Sequence, residues 1–399
     1  MIHAALQQLG LLFLVAALVG LAARRFRFPY TVGLVLAGLV LALTRLRPGL
    51  HLSAELVYSL LLPPLVFEAA MRLEWQALRT ELKLVGVLAT AGVVVAAAVT
   101  AAGMHLFAGW DWPTAWIFGA LISATDPVAV IATLRDARAR GRLPLLVESE
   151  SLANDGTAAV LFAGLLGATQ AGAPVGWSLA AHGAFEAAGG IACGIAVALL
   201  GIALFWRTRD HLVELTMTVL VAYGSFHLAQ AAGTSGILAA VAAGLTVGHR
   251  LPHDRISASG RVAVDAFWDF AAFAANSLVF LLIGADLAAQ PLPGPWTSAA
   301  IAIAVVLLGR AAAIYPLCAL YARGPLRVGW RDQHVLWWGG LRGALALALA
   351  LGLPQGFPQR ATIIATAFAV VAFSVLVQGL WLVGWLRRLH GPGTVNPAA

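Results

Sequence analysis

Apolar stretches of about 20 residues, the length an α-helix needs to cross a bilayer, follow one another through the whole of this 399-residue chain with only short polar links between them. That recurrence removes most folds from consideration before any single residue is weighed. With 61% of residues hydrophobic, 11% charged and a mean hydropathy of +0.87, the chain has too little polar surface for a soluble globule, where roughly a quarter of residues are charged. Transmembrane β-barrels alternate apolar and polar residues in short strands, a pattern these long runs do not follow. The expected fold class is therefore an all-α integral membrane protein, its surface in contact with the lipid bilayer.

The apolar windows give about thirteen spans, near residues 4–23, 28–44, 54–71, 84–107, 113–134, 144–169, 177–206, 211–231, 234–249, 264–287, 297–322, 333–353 and 361–386. Alternate links collect Arg24, Arg25 and Arg27; Arg72, Arg79 and Lys83; Arg135, Arg138, Arg140 and Arg142; Arg207 and Arg209; Arg250, Arg255 and Arg261; Arg323, Arg327 and Arg331; Arg387 and Arg388. The opposite links hold only Arg45, Arg47 and Arg360. Basic residues mark the cytoplasmic face, so the N-terminus is expected outside, the C-terminus in the cytoplasm, and the location is the cytoplasmic (inner) membrane. The net charge of +7 is then a record of topology and not of nucleic acid binding. No positive segment precedes the first apolar run, so a cleaved signal peptide is not expected. No hydrophilic domain interrupts the spans. Cys193 and Cys318 lie in apolar runs without ligand spacing and read as packing residues.

Charges inside the spans carry the chemistry, because ionisable groups at bilayer depth are costly and face a partner or a polar cavity. The sixth span holds Glu148, Glu150 and Asp155 with Ser151 and Asn154. On a helix, Ser151 and Asp155 stand at i and i+4, as do Glu150 and Asn154. Such an oxygen-rich face suits a small hard cation, or protons competing with one. Glu148, nearer the span's end, is expected to reach water. Two spans are interrupted: Ser123-Ala124-Thr125-Asp126-Pro127 in the fifth, and Gly339-Gly340-Leu341-Arg342-Gly343 in the twelfth. Proline removes a backbone donor and disfavours helix at the residue before it. If spans 1–6 and 8–13 are inverted repeats around a lone seventh, the two breaks occupy matching places, which in secondary transporters marks the binding site. Glu68 follows Pro63-Pro64 in the third span, Asn276 and Ser277 lie in the tenth, and Arg310 lies within the eleventh. A lone arginine there needs a carboxylate; Glu150 is the candidate, with Arg342 the alternative partner for that acid. Asp286 and Glu186 read as boundary charges or local partners, and Asp265 and Asp269 as lining an inner funnel.

Taken together and in this order, Thr125-Asp126-Pro127, Glu150-Ser151-Leu152-Ala153-Asn154-Asp155-Gly156, Asn276-Ser277-Leu278-Val279-Phe280-Leu281-Leu282-Ile283-Gly284 and Gly339-Gly340-Leu341-Arg342-Gly343 resemble the NhaP-type sodium/proton antiporters of the cation/proton antiporter superfamily. The resemblance implies about thirteen helices in two inverted repeats with two broken, crossing helices. It also implies a homodimer and an ion-binding core, here spans 3–6 and 10–13, moving like an elevator against a dimerisation part, spans 1–2 and 7–9. By the same resemblance Asp155 binds the transported Na⁺ and the proton, with Ser151, Thr125 and Glu68 as further Na⁺ ligands. Asp126, also counted among the ion- and proton-binding residues, and Arg342 cap the broken helices, Glu150 pairs with Arg310, and Asn154, where the electrogenic branch has a second aspartate, suggests electroneutral exchange. Ala153 departs from the bulkier residue common at its place.

No catalytic residue and no cofactor are expected, only transported Na⁺ (or Li⁺) and H⁺. The physical account is competition: a carboxyl withdrawn from water keeps its proton until a cation supplies the compensating charge. K⁺/H⁺ exchange on the same scaffold is the alternative. A remoter one is an intramembrane serine protease at Ser235, since Gly233-Thr234-Ser235-Gly236 fits a nucleophile signature, but that chemistry needs a histidine on a neighbouring helix.

Overall fold

A computed structural model of the chain describes residues 2–26, 28–44, 52–136, 141–172, 176–205, 210–250, 258–289, 296–382 and 385. In chain order the helices are α1 (Ile2–Phe26), α2 (Tyr30–Leu43), α3 (Leu62–Arg72), α4 (Trp75–Ala89), α5 (Ala91–Ala108), α6 (Trp112–Ser123), α7 (Val128–Asp136), α8 (Arg142–Ala171), α9 (Trp177–Phe205), α10 (His211–Ala231), α11 (Gly236–Arg250), α12 (Ala258–Ala289), α13 (Trp296–Ala319), α14 (Trp330–Trp338), α15 (Ala344–Leu351) and α16 (Arg360–Phe373). No strand occurs among the described residues, as the composition requires.

Within the described residues, each apolar window falls mainly on one helix or on two consecutive helical pieces. By length and hydropathy alone, nine described stretches suffice to cross a membrane, and α2 and α11 are shorter apolar helices. Both expected interruptions are present. Residues 124–127 separate α6 from α7, and residues 339–343 separate α14 from α15. Among the basic residues used to orient the chain, Arg27, Arg45, Arg47, Arg138, Arg140, Arg207, Arg209, Arg255, Arg387 and Arg388 lie outside the described residues.

Three local features depart from the sequence reading. The link expected between the third and fourth spans is helical from Trp75, because Gln76, Arg79, Thr80 and Lys83 stay exposed while Leu78, Leu84 and the ion-paired Glu81 turn inward at helical spacing. A π-helical stretch, Leu56–Leu61, leads into α3. It stands just before Pro63 and Pro64, which lack the amide hydrogens a regular α-helical ladder would use there. A second, Ser374–Gln378, continues α16 and places Ser374 Oγ 2.8 Å from the amide of Arg342.

Packing sorts the helices into two sets. In one, α5 packs on α6 and α13, α8 on α4 and α6, and α15 and α16 on each other and on α6. In the other, α12 packs on α2, α11 on α3 and α9, and α10 on α9, α11 and α12. Thus α3 and α12 make their most extensive contacts with α11 and α2. The α2–α12 approach depends on a reciprocal pair of glycines: a Cβ on Gly284 would lie 2.0 Å from the carbonyl oxygen of Val35, and one on Gly38 2.0 Å from that of Leu281. No side chain fits at either place, which is how small residues let membrane helices come together at backbone distance.

Candidate functional site

The two interruptions meet. The Asp126 amide donates to the Leu341 carbonyl at 2.7 Å, and a Cβ on Gly343 would lie 2.5 Å from the Asp126 side chain. Each break is then finished by a charge. Arg342, 3% exposed, reaches across with Nη1 2.7 Å from the Ser123 carbonyl and 3.1 Å from that of Ala124. These are acceptors that α6 leaves without partners where it stops, and the negative end of a helix favours a cation. Asp126 Oδ1 accepts from the Val128 amide at 2.9 Å at the start of α7, the end that favours an anion.

α8 lies alongside this crossing. Asn154 holds Thr125 from two directions, its Nδ2 donating to Thr125 Oγ1 at 2.6 Å and its Oδ1 accepting from the Thr125 amide at 3.2 Å. Ser151 Oγ donates to the Thr125 carbonyl at 2.6 Å and accepts from Thr125 Oγ1 at 3.1 Å. Glu150 and Arg310 form a bidentate pair, with Nη1–Oε1 2.7 Å and Nη2–Oε2 2.8 Å. Both are buried. Arg310 also donates to the Leu336 carbonyl at 3.1 Å, and a Cβ on Gly340 would lie 2.6 Å from its Nε. Of the two arginines considered for Glu150, Arg310 is the partner, while Arg342 answers backbone carbonyls.

Asp155 faces the other way, into a cavity of about 280 Å³ whose wall includes Glu68, Thr125, Asp126, Glu148, Asp155 and Asn276. Asp155 Oδ1 is buried and has no hydrogen-bond partner among the described residues. The cavity lies between the two packing sets: Thr125, Asp126 and Asp155 come from one, and Glu68 on α3 and Asn276 on α12 from the other. Ser151 is not on this wall. It borders a small void of about 10 Å³ shared with Thr125, Glu150 and Arg310, behind the threonine that faces the cavity.

Glu148, which the sequence reading set aside as water-facing, belongs to the cavity wall. The signal was its position two helical turns before Asp155, which keeps both on one face. Asp269 is bonded to Arg72, and Asp286 Oδ2 accepts from the Leu52 amide at 2.6 Å, so the latter is a structural partner. Ser235 accepts from the Leu238 amide at 3.3 Å as a cap of α11, and no hydrogen bond joins it to a histidine among the described residues. His227 stacks on Tyr223 instead. The nucleophile signature therefore has a structural explanation.

The family model described as "Sodium/hydrogen exchanger, transmembrane" matches residues 11–388. The chain is 37% identical over 391 residues to the Na(+)/H(+) antiporter NhaS2 of Synechocystis sp., covering 96% of this chain and 70% of that one. With the Na(+)/H(+) antiporter NhaH of Halobacillus aidingensis it shares 31% identity over 408 residues, covering 97% and 98%. With the Na(+)/H(+) antiporter NhaP of Pseudomonas aeruginosa it shares 35% over 353 residues, covering 84% and 82%. The solved structure of the sodium proton antiporter MjNhaP1 from Methanocaldococcus jannaschii at pH 8 superposes with a TM-score of 0.78 at 19% identity, covering 98% of this chain and 99% of that one; the likeness is one of fold.

Proposed function

Since the chain belongs to the sodium/hydrogen exchanger family, we propose that it is a multi-pass secondary antiporter of the cell membrane, exchanging Na⁺ for H⁺ with Asp155 as the carboxylate that both ions use in turn. One observation carries this assignment to the site: Asp155, with a buried Oδ1 that has no hydrogen-bond partner among the described residues, lines a cavity that also holds the carboxyl residues Glu68, Asp126 and Glu148, beside the crossing of two broken helices. Na⁺ is hard and seeks oxygen, as other hard cations do. Thr125 and Asp126 line the cavity with Asp155, and Glu68 lines it from α3, so that these residues supply further oxygens. Ser151 and Asn154 act here by holding Thr125, and the Glu150–Arg310 pair and Arg342 fix the helices that carry it.

The mechanism follows from competition and access. Asp155 takes either a proton or a cation, and alternation between the two sides is permitted only when it is loaded. The site-bearing set, α4–α8 with α13–α16, moves in this proposal against α1–α3 with α9–α12; this places α3 and α12 outside the core drawn from sequence. The N-terminus faces out, the C-terminus faces the cytoplasm, and two copies pair.

In proteoliposomes with an imposed pH gradient, adding Na⁺ is expected to collapse the gradient; parallel additions of Li⁺ and K⁺ read selectivity. A gradient that survives Na⁺ would remove the assignment. Exchange is proposed to be electroneutral because an amide stands at Asn154, whose Nδ2 donates to Thr125 and Glu150. Asn154→Asp adds a second charge beside Glu150, and exchange by that variant is expected to change rate with an imposed membrane potential. A rate indifferent to potential would detach Asn154 from charge balance.

A further inference from the structure

Glu68 does not face the cavity unattended. Its Oε1 accepts from Nε of Arg72, one helical turn later on α3, and Nη2 of the same guanidinium donates to Oδ1 of Asp269 on α12. Arg72 is 33% exposed and Asp269 64%, whereas Glu68 is 16% exposed. Charges exposed to this degree stand in water and not in lipid. The bridge therefore sits where the cavity wall meets an aqueous face.

From this geometry we propose that Arg72 is a tethered cation that competes with transported Na⁺ for Glu68, with Asp269 as the alternate berth that receives the guanidinium when Na⁺ takes its place. The proposal rests on the functional reading above and adds a residue that sets apparent affinity.

Three observations support it. Glu68 stands on the α3 wall of the cavity, across from Asp155 on α8, so a cation between them meets carboxylates from both packing sets. When no cation is there, a carboxylate on that wall needs a countercharge, and Arg72 supplies one without an ion from solution. A single guanidinium carries five N–H donors in a fixed fork. It can hold Glu68 through Nε while Nη2 stays on Asp269, so releasing Glu68 leaves it with a partner. Release breaks one contact of a partly exposed guanidinium while its contact with the exposed Asp269 stays made, and pairs within reach of water are weak, which is what a reversible competitor requires.

The two berths make opposite predictions. Arg72→Gln removes the competitor, and the half-saturating Na⁺ concentration is expected to fall roughly threefold, the size of an exposed pair's free energy. Asp269→Asn removes the alternate berth, leaves Arg72 on Glu68 alone, and is expected to raise that concentration by about the same factor. Arg72→Lys keeps the charge and should stay near the unsubstituted value. The measurements are Na⁺-dependent exchange in proteoliposomes and Na⁺-dependent thermal stabilisation of the purified protein, the second reading binding without transport. Opposite shifts in both assays support the role. A bridge that only staples α3 to α12 would lower maximal rate and thermal midpoint in both variants with the Na⁺ dependence unmoved, and that result overturns it. Absence of exchange by the unsubstituted chain would instead strike the functional reading, while the binding curves would still decide the role of Arg72.

Discussion

Asp155→Asn abolishes Na⁺-driven proton movement: this is the expected result in proteoliposomes where the unsubstituted chain collapses a pH gradient. The amide matches the carboxyl in shape, so the cavity between α3, α8 and α12 keeps its form and the thermal midpoint should change little. Two things are lost together. The amide has no proton to give up in the working range, and it offers no charge to a bound cation. Removing one partner from a buried charge pair costs on the order of 3 kcal/mol or more, about a hundredfold in affinity. Loss of either half of the cycle stops exchange, so the combined effect is a rate at background. Na⁺-dependent stabilisation of the purified variant should vanish as well. Exchange retained at full rate would sink the assignment of Asp155.

The second large effect concerns stability. Glu150→Gln leaves the Arg310 guanidinium buried without a countercharge, its hydrogen bonds to the Leu336 carbonyl remaining, and breaking a buried pair from one side costs roughly 3–5 kcal/mol. The thermal midpoint of the purified protein is expected to fall sharply. Arg310→Met should be milder, because an abandoned carboxyl can take up a proton whereas a guanidinium does not lose one. Asn154 also remains to bond it. Combining Glu150→Gln with Arg310→Met removes both charges, and the double variant should recover most of the loss. Three equal midpoints at the unsubstituted value would mean that the pair contributes nothing to holding α8 against α13.

Much of this site is legible in the residues. Asp126, Pro127 and the glycines around Arg342 announce breaks, since nothing else explains such residues at bilayer depth. Arg310 demands a carboxylate, and spacing leaves few to choose from. What is lost is whatever depends on which neighbour covers a given helix face. Ser151 and Asp155 share a face by period, yet Thr125 lies over the first and the cavity opens before the second. Arg72 stands one turn after Glu68, a visible pairing, but its place in a basic link gives it the look of a topological charge. Glu81 fell in the same link, although it is buried and bonded to Arg142 Nη2 at 2.6 Å. The placement of α3 and α12 beside α11 and α2 follows from glycines whose partners are carbonyls on another helix, and a carbonyl has no letter in the sequence.

The knot at the crossing has a consequence for insulation. Interrupted helices bare amides and carbonyls, and bare backbone polar groups invite water. Here Leu341 takes the Asp126 amide, Ser374 takes the Arg342 amide, and the arginine's own head covers Ser123 and Ala124. On the far side of Thr125 from the cavity, the space with Glu150 and Arg310 is about 10 Å³, the volume of a single water at most. A void of that size has no room for a file of water beside Glu150 and Arg310. With its head group spent on those carbonyls, Arg342 leaves fewer bare backbone groups at the crossing for water to solvate.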